Sequence, residues 1–164
     1  MTALTVHVTN DTLELRLDDF TMSLPVGSLL LARRELLTDP PLPEELTNSI
    51  GLVYDHVDDI VRLRPSVLDV DTVELAGAIV GIVADVEIGG ACDLPFVLSR
   101  DAAEEVFRTL ATERRTDRLH NPGLPTEAVD HVVGACCVIV GVMRRLHLES
   151  VRIVEPGAAT HPLA

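Results

Sequence analysis

The stretch ALTVHVTNDTLELRLDDFTMSL, residues 3–24, decides the fold. Apolar and polar side chains alternate through most of it, which is the pattern of β-strands with one buried face. The alternation predicts three strands, over residues 3–8, 12–17 and 20–24. Thr9-Asn10-Asp11 and Asp18-Asp19 lie between them, and Asn and Asp favour turns because they tolerate left-handed backbone. The chain is therefore predicted to open as an antiparallel three-stranded meander.

Beyond residue 24, helical and strand patterns follow one another. Glu44 and Glu45 come directly after a proline-rich break and supply the negative charge that suits a helix N-terminus. The other predicted elements are strands at 66–70, 72–75 and 151–154, a buried helix at 77–85, and helices that begin at Ser99 and Thr126. This order predicts a single α/β domain around one sheet, over residues 3–155, with a C-terminal tail over 156–164.

The composition excludes several classes of function. The 164 residues include 26 acidic and 13 basic side chains, the net charge is −13, and every basic residue is arginine. A nucleic-acid-binding protein needs a basic surface and often stacking aromatics, whereas only 2% of this chain is aromatic. The negative field also repels free polyanions. We therefore expect no nucleic-acid partner.

The sequence also predicts the compartment. No basic segment precedes an apolar block at the start, so no signal peptide is expected. The longest apolar stretches, 75–86 and 132–143, are shorter than the roughly 20 residues that span a bilayer. Three cysteines, of which Cys136 and Cys137 are adjacent, do not form a disulfide framework. A cytoplasmic protein without membrane contact is predicted.

Several strings occur in the same order as in a known family. They are Ser23–Gly27, Leu98-Ser99-Arg100, Pro122-Gly123-Leu124-Pro125, Val129-Asp130, Gly134-Ala135, Leu146, 151–154 and Gly157. This series resembles the exopolyphosphatase/guanosine pentaphosphate phosphohydrolase (Ppx/GppA) family of the actin-like superfamily. The resemblance covers nearly all of residues 3–157 but only the second of the family's two ribonuclease-H-like domains. It implies a ribonuclease-H-like half of an actin-like ATPase fold, in which parallel strands extend the meander and helices flank the sheet.

The resemblance also indicates where the family's chemistry would lie. The enzymes cleave phosphoanhydrides between their two domains, each domain contributes a phosphate loop, and the first domain carries the catalytic carboxylate. The family's loop here, Asp-x-Gly-Gly-Gly-Ser-x-Glu, corresponds to residues 7–14. Its remnants are Asn10, Asp11, Thr12 and Glu14, and Gly77 is the one glycine left of a second loop. Without its glycines, the loop cannot turn its amides onto a phosphate as freely. No catalytic residue, metal ligand or cofactor is therefore assigned.

Individual residues permit other interpretations. Glu14 is either a relic ligand for metal or water or, as we expect, the polar face of an edge strand. Cys136-Cys137 is interpreted as two buried thiols rather than a redox pair. Asp130-His131 with His120 lacks metal-ligand spacing. Arg144-Arg145 is expected to be solvated or ion-paired rather than to bind phosphate.

Three hypotheses for function remain open. The favoured one is a non-catalytic relative that acts through self-association, as a homodimer, or by docking on a full-length homologue. The alternative is a binder or weak phosphohydrolase of polyphosphate or guanosine polyphosphate, with a site completed across subunits and Mg²⁺ as its cofactor. The third is that the resemblance is fortuitous, in which case the opening strands need not join the final strands in one mixed sheet.

Overall fold

The computed structural model describes residues 2–157. Its strands are β1 (Ala3–Val8), β2 (Leu13–Leu17), β3 (Phe20–Leu24), β4 (Thr72–Ala76), β5 (Phe96–Ser99) and β6 (Ser150–Val154). Its α-helices are α1 (Ser28–Arg34), α2 (Pro43–Leu63), α3 (Ala78–Ile88), α4 (Arg100–Thr112), α5 (Arg115–Arg118) and α6 (Val132–Arg145). Two short 3₁₀ helices occupy Pro65–Asp69 and Thr126–Ala128. No helix in the described range is long and apolar enough to cross a membrane.

All six strands belong to one mixed sheet in the order β3-β2-β1-β4-β6-β5. The first three strands pair antiparallel, β1 pairs parallel with β4, and β4 pairs parallel with β6. The predicted meander extended by parallel strands is therefore confirmed. The opening strands and the final strand belong to the same sheet. The separate sheets that would favour an unrelated fold are therefore not observed among the described residues. Strand β5, which pairs antiparallel with β6 at the edge, was not predicted.

The alternation in the opening strands places one set of side chains in the core. On β1 and β2 these are Leu4, Val6, Val8, Leu13, Leu15 and Leu17, each at most 4% exposed. The helices cover this face, and α6 lies at the centre of their layer because it contacts α1, α2, α3 and α4. All residues of α6 from Val132 to Met143 are buried. An aliphatic core formed by one sheet face and one helical layer supplies the hydrophobic stabilisation.

Two predicted elements are wrong. Residues 66–70 form no strand, because Pro65 fixes a helical φ and a 3₁₀ helix follows from Pro65 to Asp69. Thr126 does not cap the long helix, because it begins a 3₁₀ turn and α6 starts at Val132 after His131. The predicted cap at Ser99 is confirmed, since its hydroxyl accepts a 3.1 Å hydrogen bond from the Ala102 amide.

The division of the chain stays a prediction. One domain over residues 3–155 and a tail over 156–164 were predicted from the sequence, and residues 158–164 lie outside the described part.

Helix α6 approaches its neighbours through glycine. A Cβ added to Gly134 would collide with the Ser28 carbonyl at the start of α1. A Cβ added to Gly51 on α2 would meet no atom within 4 Å. Both glycines lie inside α-helices, so they differ in packing and not in secondary structure.

We expect Gly134→Ala to lower the free energy of unfolding by about 1–3 kcal/mol, because backbone must move to admit the methyl group. Gly51→Ala is the matched control and should raise it by up to about 1 kcal/mol, because alanine has the higher helix propensity. Urea denaturation followed by circular dichroism measures both changes. Equal effects of the two substitutions would contradict the close approach of α6 to α1.

Candidate functional site

The carboxyl ends of β1 and β4 bring the two predicted loops together. The strands pair in parallel with His7 opposite Ala76, so the turn after Val8 lies beside Gly77. Gly77 has a φ of 131°, and a Cβ at this position would contact the Val8 carbonyl. Only glycine tolerates both conditions without strain. The structure thus places Gly77 against the segment that holds Asn10, Asp11 and Thr12.

The turn between β1 and β2 is closed by the side chain of Thr9. The Thr9 hydroxyl oxygen accepts hydrogen bonds from the amides of Asp11 at 3.3 Å and Thr12 at 2.9 Å. It also lies 2.7 Å from the Thr12 hydroxyl, and the Thr9 amide donates to the Thr12 carbonyl at 3.0 Å. Two successive amides that converge on one oxygen form the kind of concavity that binds anions elsewhere. Here that oxygen belongs to the protein.

The carbonyl groups of the same turn are bound to helix α1. The Ser28 amide donates to the Thr9 carbonyl at 3.1 Å, and the Leu29 and Leu30 amides donate to the Asn10 carbonyl at 3.0 Å. A Cβ at Gly27 would collide with that Asn10 carbonyl. The amides at a helix start are the groups that bind phosphate in many proteins. In α1 they are occupied by the turn.

Sequence reasoning missed both Thr9 and Gly27 as parts of this arrangement. A Thr-x-x-Thr spacing across a predicted turn was the available signal for Thr9, because threonine hydroxyls bond nearby amides in turns. No local signal identified Gly27, since its neighbour Asn10 lies 17 positions away in the sequence. Asn10 and Asp11 themselves form the exposed tip of the turn, as predicted.

Glu14 lies two residues beyond the turn and on the opposite face of the sheet from the helices. Its carboxylate is 3.8 Å from His7 Nδ1, and both side chains are 46% exposed. The expectation that Glu14 belongs to an edge strand is wrong, because β2 lies between β1 and β3. Strands β3 and β5 form the edges. Glu14 is accessible, whereas the amides of the turn beside it are bonded internally.

A groove of about 560 Å³ adjoins the turn. Its charged and polar lining residues are Asn10, Arg33, Glu127, Asp130 and His131. Two carboxylates against one guanidinium disfavour a multiply charged anion in this groove. Asp130 is also engaged, since it accepts a hydrogen bond from Arg115 Nε, and this bond holds the pKa of its carboxyl below the usual value. Across residues 2–157, no group of three potential metal ligands forms.

The remaining residues singled out in the sequence have structural roles. Cys136 and Cys137 are buried as expected, and burial raises the pKa of the Cys136 thiol to about 12 and raises that of Cys137 as well. Arg144 binds Glu104 on α4, and Arg145 Nε donates to Asp58 on α2 at 2.8 Å. The prediction of an ion-paired arginine pair is therefore confirmed. These contacts tie the end of α6 to two neighbouring helices.

The fold is similar to that of one half of solved Ppx/GppA-type structures. An exopolyphosphatase-like protein superposes with a TM-score of 0.85 at 19% identity, over 93% of this chain and 55% of its own. A Ppx/GppA enzyme of Aquifex aeolicus gives 0.84 at 15% identity, over 94% and 54% of the two chains. An exopolyphosphatase of Cytophaga hutchinsonii gives 0.75 at 15% identity, over 94% and 53%.

These comparisons establish the fold. The chain spans about half the length of the solved structures that it matches. No protein-family model and no curated protein matches the sequence. The resemblance inferred from the sequence is confirmed as a Ppx/GppA-like fold, and the assignment to the second of the family's domains stays a prediction.

We expect Thr9→Val to lower the free energy of unfolding by about 1–2 kcal/mol, because the Asp11 and Thr12 amides lose their acceptor. Thr9→Ser keeps the hydroxyl and should stay within about 0.5 kcal/mol of the wild type. Urea denaturation gives the stabilities, and hydrogen exchange at the Thr12 amide should accelerate in Thr9→Val alone. Unchanged exchange in that variant would show that the hydroxyl does not close the turn.

The three thiols should differ in reactivity. Thiolate is the reactive form, and a raised pKa keeps Cys136 and Cys137 protonated at pH 8. Desolvation and the nearby Asp85 and Asp93 also raise the pKa of Cys92, but this thiol is partly exposed and the reagent can reach it. Treatment of the native protein with a thiol-specific disulfide reagent should therefore modify Cys92 first, and the other two only after unfolding. Mass spectrometry of the labelled peptides measures this, and rapid native labelling of Cys136 would contradict its burial.

Proposed function

We propose that this chain is a non-catalytic Ppx/GppA-like protein that acts through protein contacts rather than through phosphate hydrolysis. One observation carries the proposal: the groups that would bind phosphate at the turn are bonded to the protein itself. The Thr9 hydroxyl accepts hydrogen bonds from the amides of Asp11 and Thr12. The carbonyls of the turn accept hydrogen bonds from the first amides of α1. A phosphate would have to break these bonds before it could form its own.

Electrostatics support the same proposal. The exposed Asp11 occupies a position where the resembling family has glycine, and its carboxylate would face an incoming anion. The whole chain carries a net charge of −13. Because the field of the protein adds to the local charge, a polyanion is repelled both at long range and at the turn. The groove beside the turn is lined by one arginine, Arg33, and by two carboxylates, Glu127 and Asp130, so its local charge is also unfavourable for an anion.

The partner that we propose is a second copy of this chain or a full-length homologue, in the cytoplasm. The chain spans about half the length of the solved structures that it matches. The resembling family has two domains, and this chain would correspond to one of them. A half that retains the scaffold without the phosphate-binding groups is suited to binding rather than to catalysis. Neither a nucleic acid nor a membrane is proposed as a partner.

A second candidate function rests on Glu14. Its carboxylate is accessible beside the turn, and the resemblance aligns it with the family's glutamate. In this candidate the chain binds or slowly hydrolyses polyphosphate or guanosine polyphosphate, with Mg²⁺ and with the rest of the site supplied by another subunit. The closed turn and the net charge favour the first proposal, because both oppose the entry of the anion.

Phosphate release and calorimetry distinguish the two candidates. We expect no phosphate release from polyphosphate or guanosine pentaphosphate with Mg²⁺, and no binding heat for either ligand at low salt. Glu14→Gln is the informative variant, and Ser23→Ala, on the paired position of β3, is its control. Hydrolysis that disappears in Glu14→Gln and persists in Ser23→Ala would overturn the non-catalytic proposal and support the second candidate.

A further inference from the structure

A cavity of about 170 Å³ lies between the α1–α2 loop, helix α5 and the segment that leads into α6. No residue of the β1–β2 turn lines it. Pockets for drug-sized ligands begin at about 300 Å³, so this cavity suits a smaller molecule. Its apolar lining residues are Leu36, Leu37, Pro41, Val129 and Val133.

The α1–α2 loop, residues 35–42, forms one wall of the cavity and is held by a single carboxylate. Glu45 on α2 accepts hydrogen bonds from the amides of Leu42 at 2.8 Å and of Leu37 and Thr38 at 3.3 Å. These bonds, above all the one from Leu42, hold the pKa of the Glu45 carboxyl below its usual value. Since hydrogen bonds to a charged acceptor are the stronger kind, the shape of this wall is defined before a ligand binds.

One guanidinium that lines the cavity has an unused side. Arg118 is only 7% exposed, and its Nη1 donates to the carbonyls of Leu110 at 3.2 Å and Glu113 at 2.8 Å. Its buried Nε has no hydrogen-bond partner among residues 2–157, and its Nη2 is 4.0 Å from the Asp39 carboxylate. Burial lowers the pKa of Arg118, because a charge in a site of low dielectric needs partners that it lacks here.

Nε and Nη2 form the edge of arginine that binds a carboxylate through two parallel hydrogen bonds. Arg115 uses this edge within the protein, because its Nε and its Nη2 both donate to the carboxylate of Asp130. In Arg118 the same edge has no such partner among the described residues. Because Arg118 lines the cavity, the cavity is the route by which a ligand carboxylate would reach that edge.

Asp39 supplies the opposite charge beside Arg118. Its Oδ1 accepts a 2.8 Å hydrogen bond from the Arg115 amide, which holds the carboxylate in place. The two arginines of the cavity, Arg115 and Arg118, are balanced by Asp39 and Asp130. The chain has a net charge of −13, so its field repels an anion but not a ligand whose own charges cancel.

We propose that this cavity binds a small α-amino acid as its zwitterion, with the carboxylate on Arg118 and the ammonium on Asp39. The two charged groups of such a ligand are attached to one carbon atom, which suits a guanidinium and a carboxylate 4.0 Å apart. A short apolar side chain would contact the aliphatic residues of the lining. The inference does not depend on the proposed function, because the cavity contains no residue of the turn.

Calorimetry with one amino acid and two truncated analogues tests the proposal. L-Valine carries both charged groups, 3-methylbutanoate lacks the ammonium and isobutylamine lacks the carboxylate. We expect L-valine to bind with saturation in the millimolar range, and each analogue to bind at least about tenfold more weakly, because each loses one charged contact. An analogue that binds as tightly as L-valine would overturn the proposal, since one charged group would then play no part.

Two substitutions test the residues that would hold the zwitterion. Arg118→Lys keeps the charge but removes the two-donor edge, and Arg114→Lys is its control at an exposed position outside the cavity. Asp39→Asn removes the charge but keeps an oxygen for the Arg115 amide, and Asp117→Asn, on exposed α5 surface, is its control. Each cavity variant should weaken L-valine binding at least about tenfold, and each control should leave it within about twofold of the wild type.

A measurement on the wild type remains informative if a substituted protein fails to fold, which circular dichroism would reveal. Nuclear magnetic resonance during an L-valine titration should shift the Arg115 amide, whose acceptor is Asp39, and the methyl groups of Val129 and Val133. Val97 on β5 does not line the cavity and should not shift. Shifts that leave the Arg115 amide unchanged would overturn the assignment of the site.

The outcomes also keep this inference apart from the proposed function. No saturable binding of L-valine, or cavity variants that bind it as well as their controls, would overturn the amino-acid site and leave the non-catalytic proposal in place. L-Valine binding together with phosphate release would retain this inference and overturn the non-catalytic proposal. An Asp39→Asn variant that weakens L-valine and 3-methylbutanoate equally would show a structural role for Asp39 and overturn its pairing with the ammonium.

Discussion

The structure depends on the hydrogen bonds between the β1–β2 turn and the start of α1. Through them the carbonyls of Thr9 and Asn10 satisfy amides that a helix start leaves without partners. The contact requires backbone to approach backbone without intervening side chains, and Gly27 allows this. Helix α6 then packs on α1 through Gly134, so the turn, the first helix and the central helix hold one another in place.

This arrangement links the fold to the proposed loss of phosphate chemistry. In the resembling family, glycines lie within the phosphate loop and free its amides for a ligand. In this chain, three of the glycines with tight backbone approaches, Gly27, Gly77 and Gly134, lie in the segments packed around the turn. Backbone amides are still present in the turn and at the start of α1, but they form hydrogen bonds within the protein and stabilise the end of the sheet. The acidic surface adds long-range repulsion of anions to this local closure.

Secondary structure was predictable from the sequence in short segments where one physical effect dominates. Alternation predicted β1 to β3, and the Ser99 cap was recognised because serine bonds amides only a few residues away. Strand β5 was missed because four residues next to a helix start carry too little pattern. The segment after Pro65 contains valine and leucine but only one buried residue, Val67, so its composition suggested a strand that the backbone does not form.

The sequence by itself determined the opening meander, the aliphatic core, the acidic surface and the positions of the loop remnants, because each depends on residue type and local spacing. Only the tertiary structure decided that the turn is closed and that Glu14 lies on an inner strand. It alone also showed that Arg152 binds the buried Glu74 on the neighbouring strand. These features join residues far apart in the chain, such as Asn10 with Leu29 and Glu74 with Arg152. Their contacts follow from strand register and helix packing, which local pattern does not specify.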